Sequence, residues 1–198
     1  MPIDLRLQEK AKTIRLIVMD VDGVLTDGRI FYSAEGVESE AFFVRDGLGL
    51  RMAQQAGLLT AILTGRASGA VTHRAKELGI PEIHQGVLNK LEVYEMLLQR
   101  YSLTDEAAAY VGDDLNDLPL LGRAGLSAAP ADAVAEVRAK VTYVTTQAGG
   151  RGAVREVIDL ILKAQGRWEE LVERRGPASE EGRPGGAFFL TSRRGVLQ

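Results

Sequence analysis

The chain has no cysteine and only two histidines, His73 and His84, in 198 residues. Without thiols there is no disulfide, no thiolate metal centre and no cysteine nucleophile. Two isolated imidazoles cannot build a histidine-rich zinc cage, and a Ser/His/Asp hydrolase would depend on one of them. An excess of positive charge is also missing: 24 Lys and Arg against 27 Asp and Glu leave a net charge of −3, which sets up no field toward nucleic acid or anionic lipid. No apolar run approaches the ~20 residues of a membrane-spanning helix, and the opening MPIDLRLQEKAKTIRLIVMD contains no apolar leader with a small-residue cleavage site. A soluble cytoplasmic protein is expected, with neither nucleic acid nor membrane as a partner.

What is present is ordinary for a globular domain, 45% hydrophobic and 26% charged, at a length that suits one domain. Residues 14 to 19 form a short β-branched apolar run, as in a buried parallel strand. Similar runs recur at 58 to 63, around Ile83, at 108 to 111, at 125 to 128 and at 141 to 144. Helical stretches lie between them. Asp46 is expected to cap a helix over 47 to 56 that Gly57 stops, Ser68 to open one that ends before Gly79, and Asn89 to cap LEVYEMLLQRY. Strand alternating with helix predicts a doubly wound α/β fold with a mostly parallel, Rossmann-like sheet.

GRIFYSAEGVESEAFFV breaks the alternation. It reads as two strands around Ser33-Ala34-Glu35-Gly36, so a β-hairpin over about 28 to 44 projects where the first crossover helix belongs. Phe31, Tyr32, Phe42 and Phe43 are much apolar surface for a hairpin; they pack on their own domain or form a subunit interface. Residues 1 to 175 are expected to form a single domain, with 167 to 175 extending its last helix. The Gly- and Pro-rich residues 176 to 198 read as a flexible tail.

Asp20 and Asp22 directly follow the first buried strand, in DVDGVLT. Ligands of open α/β sheets bind beyond the carboxyl ends of the strands, and two carboxylates so close repel unless a cation or a shared proton compensates. A second acidic group, Asp113, Asp114 and Asp117 in GDDLND, follows the strand AAAYV and belongs on the same sheet edge. Oxygen donors without His or Cys select Mg²⁺. Thr64, in LTGR at another strand end, can hold phosphoryl oxygens with nearby backbone N–H groups. Lys90, at the next helix start, can add a point charge, although a lysine there is ordinarily solvated.

The order DVDGVLT, LTGR, NK and GDDLND resembles the four motifs of the haloacid dehalogenase superfamily of phosphohydrolases. Through VRDGLGLR (44 to 51), ILTGR (62 to 66), QGVLNKL (85 to 91), VGDDLNDLPLL (111 to 121) and GGRGAVREV (149 to 157), the chain is more fully similar to its 3-deoxy-D-manno-octulosonate 8-phosphate phosphatases. The resemblance implies that Asp20 attacks phosphorus and that Asp22 protonates the leaving sugar oxygen and later activates water. It places Mg²⁺ on Asp20, the Asp22 backbone carbonyl and Asp113, with Asp114 and Asp117 behind them, and the phosphoryl charge on Thr64 and Lys90. Substrate binding then falls to Arg45, Asp46, Gly47, Arg51, Gly65, Arg66, Arg74 and Lys90, the arginines suiting a sugar acid's carboxylate. An Asp at position 22 favours hydrolysis over a stored phosphoenzyme.

The intervals between Asp20, Thr64 and Lys90 leave no room for a cap domain. The resembling enzymes borrow cover from a neighbour, as homotetramers joined through their hairpins. A short glycine-containing C-terminal segment can enter the neighbouring site, which Gly185-Gly186 before Ala-Phe-Phe-Leu could imitate, or the tail is passive. The chain departs from the family where a His-Pro pair is common, carrying Ala133-Val134. His73 and His84 lie outside the motifs and read as structural. The expected substrate is 3-deoxy-D-manno-octulosonate 8-phosphate, on the way to the lipopolysaccharide core. A nine-carbon acid such as N-acylneuraminate 9-phosphate is the nearest rival, and a non-catalytic oligomeric scaffold a remote one.

Overall fold

The computed structural model describes residues 4–173, so the expectations for the tail lie outside the described residues. Its centre is a six-stranded sheet in the order β5-β4-β1-β6-β7-β8, every neighbouring pair parallel. The strands are β1 (Leu16–Met19), β4 (Leu59–Leu63), β5 (Glu82–His84), β6 (Ala108–Val111), β7 (Leu126–Ala129) and β8 (Tyr143–Val144). Side chains of β1 alternate between two cores: Ile17 and Met19 join one, Leu16 and Val18 the other. A strand buried on both faces has to be apolar throughout, hence the uninterrupted run in the sequence.

Helices α1 (Leu5–Thr13), α2 (Val44–Gln55) and α7 (Ala153–Ala164) contribute to the first core. Helices α4 (Lys90–Arg100), α5 (Leu118–Leu121) and α6 (Ala135–Arg138) supply the second. Helix α3 (Gly69–Leu78) begins at Ser68, whose side chain accepts the Ala70 N–H, and ends at left-handed Gly79; Asn89 caps α4 through the Leu91 N–H. Among the described residues no helix is long and apolar enough to cross a membrane.

Asp46 corrects the helix expected over 47 to 56. Helix α2 starts at Val44, and the buried Asp46 carboxylate instead accepts the N–H groups of Gly152 (3.2 Å) and Arg155 (2.7 Å). Helix α7 begins at Gly152, which has no side chain with which to cap itself, so α2 supplies the acceptor for its open N–H groups. Such a cap stabilises by about 1 kcal/mol. Burial nevertheless pushes the Asp46 carboxyl up to about 6, against those donors. The last helix is also not continuous. Gly166 adopts φ +66°, Arg167 N–H returns to the Leu162 carbonyl, and α8 (Trp168–Glu173) starts as a separate piece.

The hairpin forms a sheet of its own, antiparallel, with only two residues per strand: β2 (Phe31–Tyr32) and β3 (Glu38–Ser39). It is shorter than the sequence suggests because the chain after Ser39 turns back to the domain, where Phe42 packs against the first core. The aromatic set is therefore split: Phe31 and Tyr32 stay 56% and 64% exposed. The hairpin and α2 fill the interval from Asp20 to Thr64, and α3 and β5 the one from Thr64 to Lys90, which leaves no cap domain.

Candidate active site

The carboxyl ends of β1, β4 and β6 bring Asp20, Thr64 and the Asp113–Asp117 turn to one edge of the sheet. Asp20 follows β1 with its N–H on the Val111 carbonyl (3.0 Å), and its Oδ1 accepts the Val21 N–H (2.7 Å). The chain then coils tightly, with the N–H groups of Val24, Leu25 and Thr26 all directed at the Val21 carbonyl. Gly23, at φ +81°, lies so close to the Asp113 carboxylate that a side chain would collide with it. Gly149 and Gly150 press backbone against backbone on Gly23 and Thr26, and Gly150 N–H donates to the Val24 carbonyl (3.0 Å). This close approach requires glycines at both positions.

Lys90 is not a solvated lysine. It is 5% exposed, and its Nζ donates to Asp20 Oδ2 (2.5 Å) and Asp117 Oδ1 (2.8 Å). Burial alone would lower the ammonium's pKa; Asp20 and Asp117 outweigh it and hold Lys90 above the ordinary value. Asp117, fully buried, has both oxygens engaged: Oδ1 accepts from Lys90 and the Tyr110 hydroxyl (2.7 Å), Oδ2 from the N–H groups of Asp113 (3.0 Å) and Asp114 (3.4 Å). It braces the turn and orients the lysine. The Asp114 side chain caps the same turn through the Leu115 N–H.

Carboxylate oxygens of Asp20, Asp113 and Asp117 all lie within 4.8 Å of one another. Burial, then Asp117, Asp20 and Asp114, raise the Asp113 carboxyl to about 7; burial, opposed by Lys90, raises Asp20 to about 6. Crowded carboxyls shifted this way are what a hard cation relieves, and an all-oxygen donor set fits Mg²⁺. With Asp117 saturated, Asp20 and Asp113 are the side chains suited to hold the ion.

Thr64 is buried with its hydroxyl accepting the Arg66 N–H (3.4 Å), and its own N–H is held by the His84 carbonyl (3.0 Å). A side chain on Gly65 would meet nothing nearer than the Val87 carbonyl at 3.8 Å, so the loop surface there is open to an incoming group. Gln85 braces this loop, accepting the Ser68 N–H (2.8 Å) and donating to Thr72 Oγ1 (2.7 Å).

Arg66 reaches the mouth but already has acids around it. Its Nη1 is 3.7 Å from Asp22 Oδ1, and its Nη2 is 2.9 Å from Glu38 and 3.5 Å from Glu40. Burial, then the charge of Asp22 and a hydrogen bond to Glu38, push the Glu40 carboxyl up to about 7. The other sequence candidates have contacts elsewhere. Arg51 donates to the Glu77 carbonyl and Arg74 to the Glu77 carboxylate; Gly47 makes room for the Arg74 guanidinium, and Asp46 caps α7. Arg45 stacks over Phe43 at 5.7 Å. At Ala133-Val134, where the His-Pro pair was expected, Ala133 N–H donates to the Pro130 carbonyl (3.1 Å) and Val134 N–H to the Asp113 carbonyl (3.0 Å).

Three residues in contact with the site were not singled out from the sequence. Tyr110 was visible only as a strand aromatic, although a buried phenol requires a partner. Glu38 and Glu40 stand two apart in extended chain, the spacing that puts both on one face.

Residues 80–158 match the family model described as haloacid dehalogenase-like hydrolase. The 3-deoxy-D-manno-octulosonate 8-phosphate phosphatase of Salmonella typhi is 47% identical over 169 residues, covering 85% of this chain and 90% of that protein. The crystal structure of the corresponding Moraxella catarrhalis phosphatase with magnesium, phosphate and KDO aligns at a TM-score of 0.85 and 44% identity, over 87% of this chain and 99% of that one. The cobalt-bound Haemophilus influenzae phosphatase aligns at 0.78 and 42%, over 80% and 93%.

Proposed function

As the chain belongs to the 3-deoxy-D-manno-octulosonate 8-phosphate phosphatases, within the haloacid dehalogenase-like hydrolases, we propose that it hydrolyses that sugar acid phosphate to the free acid and phosphate, toward the lipopolysaccharide core. The observation that carries the reading is the buried lysine between two aspartates at the sheet edge, beside Asp113 and an open threonine-glycine loop. Lys90 fixes Asp20 through one oxygen and the Val21 N–H fixes it through the other, so the carboxylate is oriented before substrate arrives.

A carboxylate oxygen of Asp20 forms a bond to phosphorus as the bond from phosphorus to the sugar oxygen breaks, and the carboxyl proton of Asp22 passes to that oxygen. Asp22 then takes a proton from water, whose oxygen displaces Asp20 from phosphorus and releases inorganic phosphate. Thr64 and the N–H groups beside Gly65 hold the phosphoryl oxygens, and the Lys90 ammonium offsets their charge. Mg²⁺, held by Asp20, Asp113 and the Asp22 carbonyl, would neutralise charge on the phosphoryl group and the aspartates.

Phosphate release measured over a panel of 3-deoxy-D-manno-octulosonate 8-phosphate, N-acylneuraminate 9-phosphate and 4-nitrophenyl phosphate tests the reading. The eight-carbon acid is expected to be preferred, with activity lost to EDTA and restored by Mg²⁺. Preference for the nine-carbon acid would replace the substrate, and inactivity on all three would leave a scaffold.

The exposed hairpin belongs, in this reading, at the centre of a homotetramer. Phe31→Glu with Tyr32→Glu is expected to give a smaller and less active species by light scattering, because a charged edge cannot be buried between copies. A parent protein that is a fully active monomer removes that assembly.

A further inference from the structure

Tyr110 carries a hydroxyl where packing asks for none. Its side chain lies on β6 and joins the second core with Ala108, Leu16, Val18 and Leu63, fully buried. A phenylalanine would fill that space as well, and a phenol in an apolar core is costly unless its hydroxyl has a partner. The partner is Asp117 Oδ1 at 2.7 Å, the oxygen that also accepts from Lys90 at 2.8 Å. Asp117 Oδ2 takes the N–H groups of Asp113 and Asp114 at 3.0 and 3.4 Å. An ionised carboxylate offers about four acceptor sites, so these four donors fill it, and Asp117 has no exposed surface through which bulk water could replace one of them.

Three of the four donors have other duties. The two N–H groups shape the turn after β6, and the Lys90 ammonium also serves Asp20. The hydroxyl's hydrogen bond among the described residues is to Asp117 alone. Oxygens of Asp20, Asp113 and Asp117 lie within 4.8 Å of one another, close enough for all three acids to hold one cation; what sets Asp117 apart is that its lone pairs are filled. We propose that Tyr110 is a positioning residue: by taking the last acceptor site of Asp117 it keeps that carboxylate from binding the metal ion and keeps Lys90 directed at Asp20. The proposal rests on the reading of the site as a Mg²⁺-dependent phosphatase. Without the hydroxyl, Asp117 Oδ1 has a free lone pair for a cation, and an Asp117 turned toward a cation no longer anchors Lys90 against Asp20.

The test compares the parent with Tyr110→Phe, which keeps the ring and loses only the hydroxyl, both as full chains. Ca²⁺, which takes about six to eight oxygen ligands in flexible geometry and so uses an added carboxylate readily, is titrated calorimetrically into metal-free protein beside Mg²⁺. The variant is expected to bind Ca²⁺ about tenfold more tightly than the parent and Mg²⁺ at least as tightly. With Mg²⁺, kcat on 3-deoxy-D-manno-octulosonate 8-phosphate and on 4-nitrophenyl phosphate should fall about tenfold, at a KM within about twofold of the parent's. Affinity and rate then move in opposite directions, which a packing role does not produce, since a loosened turn weakens both. Unchanged or weaker Ca²⁺ binding overturns the proposal, as does an unchanged kcat. A variant without a cooperative melt in metal-free buffer overturns it as well, the hydroxyl then serving the fold itself. A parent that binds Mg²⁺ but hydrolyses neither ester sinks the phosphatase reading while the Ca²⁺ titration still decides the place of Asp117. A parent that binds neither cation sinks both.

Discussion

The Asp20→Asn protein should release phosphate at less than about 10⁻⁴ of the parental rate, on the eight-carbon ester and on 4-nitrophenyl phosphate alike. An amide oxygen is too weak a nucleophile to displace an alkoxide from phosphorus, and no neighbouring group can substitute. The fold should survive, because the amide oxygen can still accept the Val21 N–H and Asp117 still holds Lys90. Asp22→Asn is the informative companion. It keeps the proposed nucleophile but removes the group proposed to donate the proton and activate water, so a phosphorylated protein should accumulate and be visible by mass spectrometry of the intact chain. Rapid turnover by Asp20→Asn, or a phosphoryl group found on any other residue, would refute the assignment.

Lys90→Met should combine the largest loss of stability with a loss of activity near 10³-fold. Removing one partner from a buried ion pair leaves the others uncompensated, at about 3–5 kcal/mol. In a domain of this size that corresponds to a fall in Tm of roughly 10 °C. Two aspartates that Lys90 now separates and neutralises would face each other inside the protein. Mg²⁺ should recover part of the lost Tm by taking over the Asp20 charge, whereas activity should not return, because the ammonium beside the phosphoryl group is gone. A variant with parental Tm in metal-free buffer would mean that the ion pair contributes nothing to stability.

The strands and the position of the acids were legible in the sequence for one reason. A strand buried on both faces has to be apolar at every position, and the polar residue that ends it stands out, as Asp20 does after Met19. Lys90 shows the opposite case. Its residue type and its place at a helix start suggest solvent; its burial follows only from where α4 meets the ends of β1 and β6, a tertiary fact. Asp46 stands where a cap is common, but the helix it caps begins more than a hundred residues later. Local rules identify a capping residue and not its client. The glutamates beside Arg66 were not foreseen, because they belong to the hairpin, a segment whose return to the domain no local pattern announces.

The glycine pair at 149 and 150 bears on how the protein is made. Asp20 leaves the ribosome long before Gly149, yet the coil that shapes its surroundings is closed by that later backbone. Contacts so distant along the chain form slowly, since the intervening segments must be placed first. A nascent chain halted before Gly149 would carry every acidic motif and Lys90 and still lack a shaped site. Competence should therefore emerge abruptly, once residues 149 and 150 have been added and placed.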